Sequence, residues 1–246
     1  MPDTLRLVRR IATLLAILLA CLLGHTLARL TGDTLPWVRR FLGRAARTLG
    51  ADVTVTGHPL DRDVLFVANH LSWFDILAMG GATGTAFVSK DGVAGWPVVG
   101  WLARLGGTIF IARTSRAAAR AQADALTAAL ATGRPAMVFP EGTTNDGRTI
   151  LPFHAALFAA APAAGIRVQP VAIDYGALAP EIAWGPDEPA LAVARRLIAR
   201  PGRIPITLRF LDPVDPAITD RKALAAAARA AIVAALAPTK PAPLPL

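Results

Sequence analysis

Apolar and polar positions follow two rhythms along this chain. Residues 11–28, IATLLAILLACLLGHTLA, carry no formal charge and are bounded by Arg10 and Arg29. Eighteen such residues reach the lower edge of what crosses a bilayer as a helix. A secretory signal is the rival reading, but no clear A-x-A cleavage site follows and the run is long for an h-region, so a retained anchor is expected. In residues 35–50, LPWVRRFLGRAARTLG, one helical face collects Trp37, Phe41, Leu42, Ala45 and Leu49, with Arg39, Arg40, Arg44 and Arg47 mostly elsewhere. That pattern predicts a basic amphipathic helix lying on anionic lipid, with an ordinary surface helix as its alternative.

Past residue 50 short apolar runs alternate with stretches of helical period. The runs predict strands at 53–57, 63–69, 85–90, 107–113, 136–140, 167–173 and 205–211. Helices are expected near 73–80, 96–104, 114–132, 153–163, 189–199 and 220–237. Continuous apolar strands separated by helices predict an α/β fold, a single domain with a largely parallel sheet flanked by helices and preceded by an N-terminal hydrophobic membrane-anchor helix. The expected organisation is a membrane anchor and basic segment over 1–50, a domain over 51–237, and a disordered proline-rich tail over 238–246.

Charge sharpens this picture. The net charge is +9. Eight arginines against two aspartates in residues 1–50 place six of those charges in the first fifth of the chain. Basic residues beside a greasy segment point to a membrane surface. The body lacks the aromatics interleaved with arginines that a nucleic-acid binder uses, so no nucleic-acid partner is expected. A single cysteine, Cys21, excludes a disulfide framework, and His25, His58, His70 and His154 have no metal-ligand spacing.

Candidate chemistry sits at strand ends, where open α/β sheets collect reactive groups. NHLSWFD, residues 69–75, follows the run DVLFVA. SWFD has the form of a capping box, with Ser72 as N-cap and Asp75 at N3. The same spacing lets His70, in the strand-to-helix turn, meet Asp75 in the first helical turn. An imidazole held by a carboxylate is a general base for a hydroxyl. No G-x-S-x-G elbow occurs, so such a base would activate a bound substrate rather than a protein nucleophile. VFPEGTTNDG, residues 138–147, ends another strand and would present the Glu141 carboxylate and an accessible Gly142 N–H. GGTIFIAR ends a third at Arg113.

Together these stretches resemble the glycerolipid acyltransferase family that includes bacterial 1-acylglycerol-3-phosphate acyltransferases. NHLSWFD resembles its N-H-x-S-x-x-D block, GGTIFIAR its second block, FPEGTT its third and VQPVAI its fourth; VSKDGVAGWPVVGWLARLGG is similar to the stretch between the first two. The resemblance implies His70 and Asp75 as the catalytic pair. It implies Arg113, Lys90, Glu141, Gly142, Thr143 and Pro170 as substrate-binding positions. It also implies acyl transfer from acyl-CoA or acyl carrier protein, with no resident cofactor and no metal.

The acceptor implied is a lyso-lipid, in the first instance 1-acyl-sn-glycerol-3-phosphate. Two positions depart from the pattern: Thr144 stands where arginine is frequent, and His154 where lysine is frequent. Lyso-ornithine lipid, whose head group carries no phosphate, is the alternative acceptor. A non-catalytic lipid-binding protein on the same fold is the alternative of another class. Membrane lipids are the expected partners, at the inner membrane with the domain facing the cytoplasm.

Overall fold

The computed structural model describes residues 3–30, 32, 34–111, 124, 126–185 and 187–237. Two long helices lead: α1 (Asp3–Ala28) and α2 (Leu35–Thr48). Seven strands follow, each overlapping an expected apolar run: β1 (Ala51–Thr56), β2 (Val64–Ala68), β3 (Ala86–Lys90), β4 (Ile109–Ile111), β5 (Ala136–Val138), β6 (Arg167–Asp174) and β7 (Ile204–Phe210). They form one sheet in the order β1-β7-β6-β2-β5-β3-β4. Five strands are parallel; β7 runs antiparallel to β6, and β1 follows β7.

All five residues of β2 are fully buried. Val64, Phe66 and Ala68 enter one core layer, and Leu65 and Val67 the other. A strand covered on both faces has no polar side to alternate with, which is why its sequence reads as an unbroken apolar run. The layer around Phe66 includes α3 (Phe74–Thr83) and the helix Ala190–Ala199. The opposite layer includes residues 126–130 and the helix Arg221–Leu236. That last helix begins where Asp220 accepts the N–H groups of Lys222 and Ala223, an N-cap that fixes its start. The expected helix over 114–132 lies largely outside the described residues, as does the tail over 238–246.

Helix α2 departs from the expected lipid-lying helix. Its apolar face is used inside the protein: Ala45, Ala46 and Leu49 are buried. The α2–α3 crossing is built on glycine, since a Cβ on Gly81 would stand 2.6 Å from the Gly43 Cα and one on Gly80 would stand 2.3 Å from Leu42 Cδ1. The outward apolar face belongs to α1 instead. Leu5, Val8, Ile11, Leu15, Leu19, Leu23 and Leu27 are all exposed at spacings of three and four, one stripe of a helix. Arg6 and Arg10 pin the start of α1 by donating to the carbonyls of Ile198, Ala199 and Arg200, where the neighbouring helix leaves acceptors unmet. Near its other end, Gly24 lies against the Trp37 ring of α2.

Candidate active site

Strand β2 lies between β6 and β5, parallel to both, at the place where the connections diverge to opposite sides of the sheet. Such a switch point opens a crevice at the carboxyl ends of the strands. Three segments leave it together: His70 follows β2, Glu141 follows β5 and Tyr175 follows β6.

His70 Nδ1 lies 2.8 Å from Asp75 Oδ2. The same oxygen accepts the backbone N–H groups of Leu71 at 2.7 Å and Ser72 at 3.0 Å. The second oxygen, Oδ1, accepts the Tyr175 hydroxyl at 2.6 Å. Asp75 is fully buried, and a buried carboxylate needs this kind of donor set. Because Asp75 acts as acceptor to every other partner, His70 Nδ1 carries the ring proton and Nε2 is the free basic nitrogen. The cap and the dyad are thus one carboxylate doing both jobs. The capping box forms by half: helix α3 starts at Phe74, and Ser72 Oγ reaches its N–H only at 3.5 Å.

The ring of His70 stacks on Phe139, centroids 4.0 Å apart at 14°, which limits its tilt from the side that Asp75 does not hold. Asn69 ties the ends of β2 and β6 by donating to Ile173 O at 2.9 Å and accepting Ile173 N–H at 2.8 Å. The imidazole therefore projects from an anchored turn, 18% exposed.

Glu141 has a different place from the expected one. It is buried, and its contacts run inward: Oε1 accepts the His70 N–H at 2.7 Å, and Oε2 accepts Leu151 N–H at 2.8 Å and Asn145 Nδ2 at 2.9 Å. Burial raises its carboxyl above the ordinary carboxylate range, with the hydrogen bonds and His70 opposing. The carboxylate fixes the loop to the His70 backbone instead of presenting itself to a ligand. Gly142, at φ +75°, turns its N–H to Phe139 O at 3.1 Å, so that group is not the accessible donor expected of it. Thr143 is exposed. Pro170 is buried inside β6 opposite Val67, its carbonyl accepting Leu211 N–H at 3.0 Å. Lys90 closes β3 at the carboxyl edge. Arg113 lies outside the described residues. His154 precedes a short 3-10 turn, Ala155–Ala159, and its N–H is held by Pro140 O.

The sequence reading missed Tyr175, Phe139, Asn69 and Asn145. Tyr175, the one tyrosine of the chain, directly follows a predicted strand, but that this strand lies beside β2 is seen only in the fold.

Comparison with known proteins places the chain's matches among acyltransferases. A family model described as Acyltransferase matches residues 52–174. The chain is 39% identical over 204 residues to the lyso-ornithine lipid O-acyltransferase of Pseudomonas aeruginosa, covering 80% of this chain and 77% of that one. It is 37% identical over 255 residues to the protein of the same name from Rhodobacter capsulatus, covering 94% and 91%. It is also 39% identical over 137 residues to the 1-acyl-sn-glycerol-3-phosphate acyltransferase of Neisseria meningitidis, covering 54% of each. The crystal structure of the 1-acyl-sn-glycerophosphate acyltransferase PlsC of Thermotoga maritima shares the fold, with a TM-score of 0.66 at 24% identity over 96% of this chain and 99% of that one.

Proposed function

Because the chain belongs to the acyltransferase family, we propose that it moves a fatty acyl group from a cytosolic thioester, acyl-CoA or acyl carrier protein, to the free hydroxyl of a lyso-lipid. His70 Nε2 takes the hydroxyl proton as the oxygen attacks the thioester carbonyl. Asp75 holds the ring and stabilises the imidazolium. The thiolate leaves when the tetrahedral intermediate collapses, and the imidazolium returns the proton to it. No acyl-enzyme forms, and no metal or resident cofactor enters the step. Help of this kind is worth roughly 10²–10⁴-fold. The observation that carries the reading is the 2.8 Å contact between His70 and the buried Asp75 at the end of β2.

For the acceptor we favour lyso-ornithine lipid. Two relatives of that name match over most of both chains, whereas the Neisseria meningitidis protein, named for the phosphate-bearing acceptor, matches over 54%. Thr144 and His154 also stand where cations suited to a phosphate are frequent, and Asn145 fills the loop by holding Glu141. Arg113 and Lys90 are the positions we assign to the acceptor's anionic group.

The membrane face we propose is the exposed stripe of α1. Held against the domain at both ends, this helix lies along the bilayer surface with its leucines in the acyl region, more consistent with an interfacial helix than with a span. The arginines of α2, exposed at its side, then meet anionic head groups, and the domain faces the cytoplasm. The exposed Trp96 and Trp101, between β3 and β4, suit the interfacial belt.

The test offers purified wild-type protein in mixed vesicles both donors, with lyso-ornithine lipid and lysophosphatidate as parallel acceptors. A strong preference for lyso-ornithine lipid supports the assignment. Preference for lysophosphatidate overturns the acceptor, and free fatty acid released at full rate without any acceptor would make the protein a thioesterase.

A further inference from the structure

We propose that Tyr175 is a positioning residue of the general base, tuning the His70–Asp75 pair through a hydrogen bond to the carboxylate oxygen that His70 does not use. The proposal rests on the reading of His70 as base.

The geometry is specific. Tyr175 stands one residue past β6, on the strand beside β2, and is 1% exposed. Its hydroxyl donates to Asp75 Oδ1 at 2.6 Å, across 100 positions of sequence. The two oxygens divide their tasks: Oδ2 serves His70 and the turn, and Oδ1 serves Tyr175 alone among the described contacts. A fully buried phenol has no packing need for a hydroxyl, since phenylalanine fills the same space without a polar atom to satisfy. Burial, together with the charge of Asp75 and the hydrogen bond to it, drives the phenol further from ionisation. Tyr175 therefore remains a donor throughout the working range and does not act as an acid or base itself.

What that donor does follows from its target. A carboxylate that receives a strong hydrogen bond has less charge to offer elsewhere. The Tyr175 bond weakens the pull of Asp75 on an imidazolium at His70, so the ring stays unprotonated, and competent as a base, to lower pH. On this proposal, loss of the bond lets the pair, titrating as a unit, take up its proton at higher pH. The other titratable groups around the pair are Glu141, whose Oε1 accepts the His70 backbone N–H, and Asp174 beside Tyr175, which is paired with Arg209. Neither touches the carboxylate of Asp75 among the described contacts, and Phe139 on the ring's flank carries no charge.

Two replacements pull in opposite directions. Tyr175→Phe deletes the donor. Biosynthetic replacement of tyrosine by 3-fluorotyrosine strengthens it, and because the chain has one tyrosine this labels Tyr175 and nothing else. The acid limb of the kcat/KM profile is expected to move up by about 0.5–1 pH unit in Tyr175→Phe and down by a smaller amount in the fluorotyrosine protein. Titration of the His70 ring resonances, assigned by their loss in His70→Ala, gives the same two displacements without needing turnover. Opposite shifts in the two proteins support the proposal. Unchanged midpoints in both overturn it, even where Tyr175→Phe is slower or melts earlier, because a purely structural hydroxyl lowers rate and stability without moving a limb. If His70→Ala transfers acyl groups as fast as wild type, the base reading itself has failed, and the ring titration still decides whether Tyr175 tunes the pair.

Discussion

The end of β2 and the α1–α2 hairpin treat their polar and apolar groups in opposite ways. At the end of β2 the protein answers its own demands: both oxygens of Asp75 and both of Glu141 have named donors within 3.0 Å. In the hairpin it does not. Seven apolar side chains of α1 face outward, and Arg39, Arg40, Arg44 and Arg47 form no ion pair with a carboxylate among the described residues. The first region is preorganised, so its chemistry is set before substrate arrives. The second leaves its apolar stripe and its arginines facing water, and a bilayer with anionic head groups, the partner we propose for this face, would complete it. An enzyme whose acceptor stays in the membrane needs both, a rigid base and a surface that brings it to the lipid.

The contrast breaks most severely at Asp75. Asp75→Asn keeps the volume but removes the charge that orients the ring, and acyl transfer is expected to fall by roughly 10²–10⁴-fold with vesicle binding unchanged. Side-by-side kinetics and flotation check this; a parallel loss of binding would mean the two regions are not separable. Next comes the α2–α3 crossing that joins them. Gly81→Ala forces a methyl onto the Gly43 backbone and should cost about 1–3 kcal/mol in thermal or urea unfolding.

Legibility follows the same division. Strands β2, β5 and β6 were readable because strands buried on both faces produce unbroken apolar runs, and β1 and β7 because their apolar and polar positions alternate. The contact of His70 with Asp75 was open to the sequence because it spans five residues and needs only a strand-to-helix turn, but the same spacing fits a helix cap, and it was the resemblance of NHLSWFD to a family block that singled out the pair. Tyr175 was not, because its partner is 100 residues distant and a buried tyrosine resembles any core aromatic. Glu141 and Gly142 were placed in the right loop with the wrong orientation, since sequence does not say that the chain turns them inward on His70 and Phe139. For α2 the amphipathic pattern was correct, but periodicity cannot distinguish a face covered by α3 from one covered by lipid.

Smaller effects sharpen the account. Arg44→Gln should weaken binding to anionic vesicles by about 1 kcal/mol, roughly fivefold, with no change on neutral ones; equal loss on both would point to packing instead. Glu141 supplies a pH signature. Its carboxyl titrates above the ordinary range because of burial, so the folded state holds that proton more tightly than the unfolded chain. Stability linked to this group is present below the unfolded carboxylate range and is lost as pH rises through the folded value. Melting temperatures across that window should fall with rising pH in wild type and show a flatter course in Glu141→Gln. Identical slopes would remove Glu141 as the source.

The most direct measurement is single-turnover transfer of a labelled acyl group to the lyso-lipid by wild type and His70→Ala in the same vesicles, with an acid quench that would retain any acyl-protein bond. The account predicts labelled lipid product from wild type, none of it passing through labelled protein, and a loss of transfer in His70→Ala of at least about 10²-fold. Unimpaired transfer by His70→Ala, or label trapped on the protein before product appears, would contradict it.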